Sequence, residues 1–212
     1  LLKKLRCNSY KSLVAASSII RPGVSKSGMM REYIHRFHHP GDFTYLHPVM
    51  EQQLKETYGV MVYQEDVIKV CHHFAGLDLA DADVLRRAMS GKFRSSREFE
   101  RIAQKFFSNC RDRGYSEELT REVWRQISSF AGYSFSKAHS ASFAVESFQS
   151  LFLKTYYPLE FMVAVINNFG GFYRTWVYVN EARRWGAVIQ LPCINQGDYK
   201  TTIHRTDIYL GF

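Results

Sequence analysis

At 212 residues, 46% hydrophobic and 23% charged, the chain has the composition of a folded protein with one sizeable core or two small ones, which excludes disorder as its default state. Its formal charge of +8 is unevenly spread, with +7 over residues 1–36, −6 over 42–85, +6 over 86–113 and +1 over 114–212, an asymmetry that favours a polyanionic partner without specifying a sequence. No apolar run approaches the about 18 to 20 residues of a membrane span, residues 1–36 lack a secretory leader, and Cys7, Cys71, Cys110 and Cys193 form no CxxC pair, so reduced cytoplasmic thiols are expected.

Taken in order, Leu1–Leu5 and Tyr10–Ile20 read as helical, the second capped by Asn8 or Ser9 and broken by Arg21-Pro22-Gly23. Both ends, LLKKL without a Met and YLGF after a strand-like run, read as cuts in a longer protein. Ser25, Lys26, Ser27 and Gly28 precede an amphipathic helix on Met29, Met30, Tyr33 and Ile34, a loop able to hold an anion but matching no Walker pattern. Pro48 begins a helix striped by Met50, Leu54 and Tyr58, and Gly59 ends it. Val60–Tyr63 is expected to be extended and Gln64–Phe74 helical. The histidines His35, His38, His39 and His47 lack a completing cysteine or carboxylate pattern and read as surface or loop residues, while His72 and His73, adjacent on a helix, are expected to face apart.

The stretch VLRRAMSGKFR follows. Val84, Leu85, Ala88 and Met89 can anchor one helical side while Arg86 and Arg87 project about 100° apart, with Lys92, Arg94 and Arg97 close behind. These residues leave phosphate binding and a solvated basic face equally open. Asp81 and Asp83 invite a two-metal reading, but side chains two apart on a helix diverge, and acids in a first turn are explained by the helix dipole. No better carboxylate pair occurs, so the chain is expected to hold no metal and no catalytic residue.

A helix capped by Ser95 or Ser96 then carries Phe99, Ile102, Ala103, Phe106 and Cys110, with Arg97, Arg101 and Lys105 along another face. Ser116 caps the next, striped by Leu119, Val123, Ile127 and Phe130. Lys137 and His139 stand at the start of a long helix with Phe143, Phe148, Leu151, Phe152 and Tyr156, and Pro158 opens another with Phe161, Met162, Val165 and Ile166. After Gly170-Gly171 the texture changes: Phe172–Trp185 reads as a last helix, Val188 onward as a short strand, and Thr201–Ile203 and Ile208–Leu210 as strands able to pair. The expected fold is mainly α, with a helical part over 1–169 and a smaller part with minor β content over 170–212.

In one unbroken order, RPGVSKSGM, YLHPVMEQQLKETYGVMVYQEDV, ADVLRRAM, FAGYSFSKAHSASFAVESFQSLFLKTYYPLEFM and EARRWGAVIQLPCIN closely resemble the bacterial replicative family C DNA polymerases, the DNA polymerase III alpha subunits, in their helical fingers region. The resemblance implies a nucleotidyltransferase segment lying over the incoming deoxynucleoside triphosphate and the template-primer end. By residue, it implies that Arg86 and Arg87 meet the triphosphate and that Lys137 and His139, in SKAH where NKSH is commoner, lie near the same pocket; Ser90 and Phe93 depart from the usual LRRAMGKK and leave the phosphate role of Lys92 open. Lys26, Arg94, Arg97 and Arg101 are the candidates for contacting DNA. The resemblance also implies magnesium held by palm aspartates outside this segment, so that the segment alone is inactive. A sliding clamp and a proofreading exonuclease would be met through other regions, and the resemblance places the end of the segment before the helix-hairpin-helix and OB modules that help hold duplex and single-stranded DNA. The setting would be the bacterial cytoplasm, at the nucleoid. A helical module that only clamps duplex backbone is the alternative.

Overall fold

The computed structural model describes residues 1–21, 24–25, 27–89, 96–129 and 136–212. Among them run ten α-helices and one small sheet: α1 Tyr10–Ile19, α2 Met29–His38, α3 Pro48–Leu54, α4 Gln64–His73, α5 Leu79–Met89, α6 Ser96–Asp112, α7 Glu117–Ser128, α8 Lys137–Tyr156, α9 Pro158–Asn167, α10 Thr175–Arg184, then β1 Val188–Gln190, β2 Thr202–His204 and β3 Asp207–Tyr209. The mainly α expectation holds. The chain divides into two compact units, Leu1–Ala144 and Val145–Phe212, so α8 runs through the division and Gly170-Gly171 lies inside the second unit. Among the described residues no helix is long and apolar enough to cross a membrane.

The first unit is organised by apolar stripes at helical spacing. Leu54, Val67, Val70, Phe74, Leu85, Ile102, Phe106, Val123 and Ile127 are buried in one core, built as α3 packs on α4, α4 on α5, α5 on α6 and α6 on α7. Rings tie these elements together: Phe74 stacks on Tyr115 at 4.6 Å between centroids and lies 6.3 Å from Phe106, which meets Trp124 at 5.0 Å. Ser9 caps α1 and Ser116 caps α7, each accepting from the backbone N–H three residues on. Pro48 and Pro158 occupy the first turns of α3 and α9. Cys71 and Cys110 are buried in this core, and burial pushes their thiols up to about 12 and about 11.

Three local expectations are corrected. Leu1–Leu5 forms turns rather than a helix, and Arg6 has a φ of +46°, which stops propagation toward α1. Val60–Tyr63 is buried but joins no strand. The reason is that the N–H groups of Val62 and Tyr63 both donate to Asp66 Oδ2 at 3.0 Å, and that of Val60 to the Thr57 carbonyl, which leaves little of a ladder to form. His72 and His73 do not face apart: their rings meet edge to face at 4.8 Å, and a His72 ring nitrogen lies 2.7 Å from the Leu77 carbonyl oxygen. The turn at Pro22-Gly23 and the cap at Ser95 lie outside the described residues.

In the second unit α9 packs on α10 and on β2, and α10 on β1, burying Met162, Val163, Ala182, Ala187 and Ile208. The strand order is β1-β3-β2, with β3 parallel to β1 and antiparallel to β2, the pairing of Ile203 with Ile208 matching the two strands expected there. Asn167, at the end of α9, grips Thr201 from both sides, its Nδ2 donating to the carbonyl and its Oδ1 accepting from the N–H, each at 2.8 Å.

Candidate functional site

The site grows from the first turn of α4. Asp66 fixes where that helix begins by accepting the Val62 and Tyr63 amides, and this sets Tyr63, Gln64 and Glu65 at a corner of the chain. Burial raises the Asp66 carboxyl to about 6, although the two amides oppose the shift.

Two groups of candidate cations meet the corner. From the end of α5, Arg86 donates through Nη1 to Gln64 Oε1 at 3.0 Å. From the start of α8, the backbone N–H of Lys137 donates to Glu65 Oε2 at 3.1 Å, while its ammonium reaches Glu56 Oε2 at 2.5 Å and stands 5.4 Å from the centre of the Tyr63 ring. Arg86 and Lys137, 51 positions apart in sequence, are therefore bonded to adjacent residues of one helical turn.

Asp83 organises the arginines. Its Oδ1 accepts from Arg86 Nε and lies 2.8 Å from Arg86 Nη2, and its Oδ2 lies 3.0 Å from Arg87 Nε. The two guanidiniums, 100° apart at their Cβ atoms by helical geometry, thus converge on one carboxylate. Arg86 is the more enclosed, with 26% of its side chain exposed against 53% for Arg87, and it also reaches Gln64. The i, i+3 and i, i+4 spacing of Asp83 to the pair is the signal from which this fork can be read.

Asp81 diverges from Asp83 as expected and serves a different end of α5. Asp78 accepts the Asp81 N–H at 2.7 Å, capping the helix, and Lys105 of α6 spans Asp78 Oδ2 at 2.9 Å and Asp81 Oδ2 at 2.5 Å. Arg101 adds a 2.7 Å contact to Asp81 Oδ1. The Lys105 and Arg101 cations hold the Asp81 carboxyl below its ordinary value, and the Asp81 amide with the Lys105 ammonium brings Asp78 down to about 2. So Arg101 and Lys105, read from sequence as part of a cationic stripe along one face of the helix, form an interhelical ion-pair ladder.

His139 lies on the first turn of α8, its backbone N–H donating to Ser136 Oγ at 3.3 Å and its ring edge-on to Phe143 at 4.5 Å. Arg97 is exposed on the first turn of α6. Lys26, Lys92 and Arg94 lie outside the described residues. Among the described residues no three histidine, cysteine or carboxylate groups are grouped to hold a metal ion. The donor set does not fit magnesium either, since Asp81 and Asp83 are each already held by two cations.

Residues 1–114 match the family described as the bacterial DNA polymerase III alpha subunit finger domain. Among relatives, the DNA polymerase III subunit alpha of Staphylococcus aureus strains Mu50 and N315 is 36% identical over 211 residues, and that of Staphylococcus epidermidis 35% identical over 211. Each comparison takes in 99% of this chain and 19% of the relative, so the chain spans about a fifth of the length of the relatives it matches. With its helical architecture and the match over more than half its length, the chain belongs to the bacterial DNA polymerase III alpha subunit finger-domain family.

Proposed function

We propose that this chain is the fingers segment of a template-directed DNA polymerase, contributing the binding of the incoming deoxynucleoside triphosphate and of primed-template DNA during replication. The observation that carries the reading is the fork of Arg86 and Arg87 on Asp83, set by Gln64 against the corner that also holds Lys137. Phosphoryl transfer from a triphosphate needs cations that neutralise spreading negative charge on its oxygens, and paired guanidiniums held in one geometry do this without reorganising during the step. The reaction joins the primer 3′ hydroxyl to the alpha phosphate and releases pyrophosphate. His139 and, from the residues after α5, Lys92 complete the nucleotide-binding set.

Magnesium is assigned to carboxylates of the longer protein, and the present segment supplies cations and shape only. Arg97 and Arg101 of α6, with Lys26 and Arg94, supply sequence-independent contacts to the DNA backbone, while sliding clamp and exonuclease are met by other regions.

Arg86→Ala and Arg87→Ala in the full-length enzyme test the reading. Each should lower incorporation by about a hundredfold, the usual loss for one transition-state contact, with primed-template affinity at fixed salt nearly unchanged. Variants that kept normal incorporation while losing DNA affinity would replace the nucleotide role with a backbone clamp.

A further inference from the structure

The three described cations of the site share one property: each is met by an internal carboxylate. Arg86 and Arg87 share Asp83, and Lys137 meets Glu56. None of these carboxylates is deeply buried, with 39% of the Asp83 side chain and 62% of the Glu56 side chain exposed. An ion pair of this kind is weak, because solvent screens it and two side chains must be held still. It gathers two long guanidinium side chains on one carboxylate, and being weak it yields to an anion of higher charge.

We infer that Asp83 is a built-in counter-anion of the site: it holds Arg86 and Arg87 side by side when no nucleotide is bound, and the phosphates of an incoming triphosphate take its place on the guanidiniums. Glu56 acts in the same way on Lys137. Binding is then an exchange of one anion for another. A triphosphate makes that exchange with several oxygens at once, and the returning carboxylate displaces pyrophosphate after transfer. The inference rests on the nucleotide-binding reading above and adds residues of opposite charge to it. The alternatives for Asp83 are a purely structural helix pair, without effect on anion binding, and a prop whose loss weakens binding.

The test is titration of the 212-residue chain with inorganic triphosphate by calorimetry, at low and fixed ionic strength, for the wild type, Asp83→Asn and Glu56→Gln. Asp83→Asn should bind about fivefold more tightly, the gain expected from freeing the two arginines of one shared, exposed carboxylate, and Glu56→Gln should tighten binding by a similar or smaller factor. The gain from Asp83→Asn should vanish when Arg86 and Arg87 are both alanine. Glu117→Gln, an equal change of charge on α7, separates a local effect from the general field and should tighten binding much less. Circular dichroism establishes that each variant is folded.

Arginine-dependent binding that Asp83→Asn leaves unchanged or weakens would overturn the counter-anion role while leaving the site intact. An equal gain from Glu117→Gln would overturn it as well. Triphosphate binding that is absent, or indifferent to both arginines, would instead remove the nucleotide-binding reading and this inference with it.

Discussion

The residue that most shapes the site is one that carries no ligand. Asp66 is almost wholly enclosed, and its carboxyl is the acceptor for two buried amides. Its folded-state carboxyl keeps a proton up to about 6, whereas an unfolded aspartate releases it near pH 4, so the folded chain binds more protons between those values. The contribution of Asp66 to stability is therefore full below about pH 4 and falls as pH rises through about 6. Asp78 works in the opposite sense and in a different window: its folded value of about 2 means that its contribution is present above about pH 4 and is lost as pH falls toward 2. Asp66→Asn, which keeps a carbonyl acceptor for both amides, should flatten the decline between pH 4 and pH 6 in urea-unfolding measurements. Parallel curves for the two proteins would assign the decline elsewhere. At this scale the sequence exposed Arg86, Arg87 and Lys137 as candidates, and of their partners it carried a local signal for Asp83 alone. Helical spacing puts the two arginines apart at Cβ, and only the length and flexibility of the side chains bring them back to Asp83. Nothing local in the chain marks Glu56 or Gln64 as neighbours of the site, because those contacts span 81 and 22 positions.

At the scale of elements, periodicity and caps made the helices legible. The stripes of α6 and α7, the Ser116 cap and the two first-turn prolines are local signals, and local signals survive folding when packing agrees with them. What failed was the part decided by tertiary partners. Val60–Tyr63 has strand-like residues, yet its donors are taken by a side chain and a turn. The end of α4 is likewise closed from a distance, by Arg113 Nη1 donating at 2.8 Å to the carbonyls of both His73 and Phe74. Gly76 is required beside it: its φ is +64°, and a Cβ there would fall 2.3 Å from Arg113 Nη2. These elements are held more by their buried faces than by their ends. Phe106→Ala should cost about 3 to 5 kcal/mol of stability, against about 1 kcal/mol for Ser116→Ala. Urea midpoints and slopes would decide it, and a larger loss from the cap variant would reverse this ranking.

For the whole molecule, composition announced a folded, basic chain, capped amphipathic segments announced its helical class, and ordered motifs announced the family more firmly than any single residue did. The division after Ala144 was not legible, because α8 crosses it without a proline, a glycine or a break in apolar content. The catalytic consequence also belongs to this scale. With Asp81 bound to Lys105 and Arg101, and Asp83 to the two arginines, neither member of this pair is left open to metal. The 212-residue chain should give no primer extension with magnesium and all four nucleotides. Metal-dependent extension by rigorously purified chain, abolished by Asp81→Asn, would show that the ladder opens to serve as a metal site.

The two enclosed thiols carry a consequence of a practical kind. With pKa values of about 12 and about 11, Cys71 and Cys110 hold almost no thiolate near neutral pH, and the thiolate is the form that alkylates and oxidises. Cys7 and Cys193 are only partly covered. A pulse of alkylating reagent therefore separates the four into two classes, a quick pair that can accept a fluorophore and a slow pair whose modification waits on opening of the first unit. Mass spectrometry of the slow pair reads the opening of that core without any introduced probe.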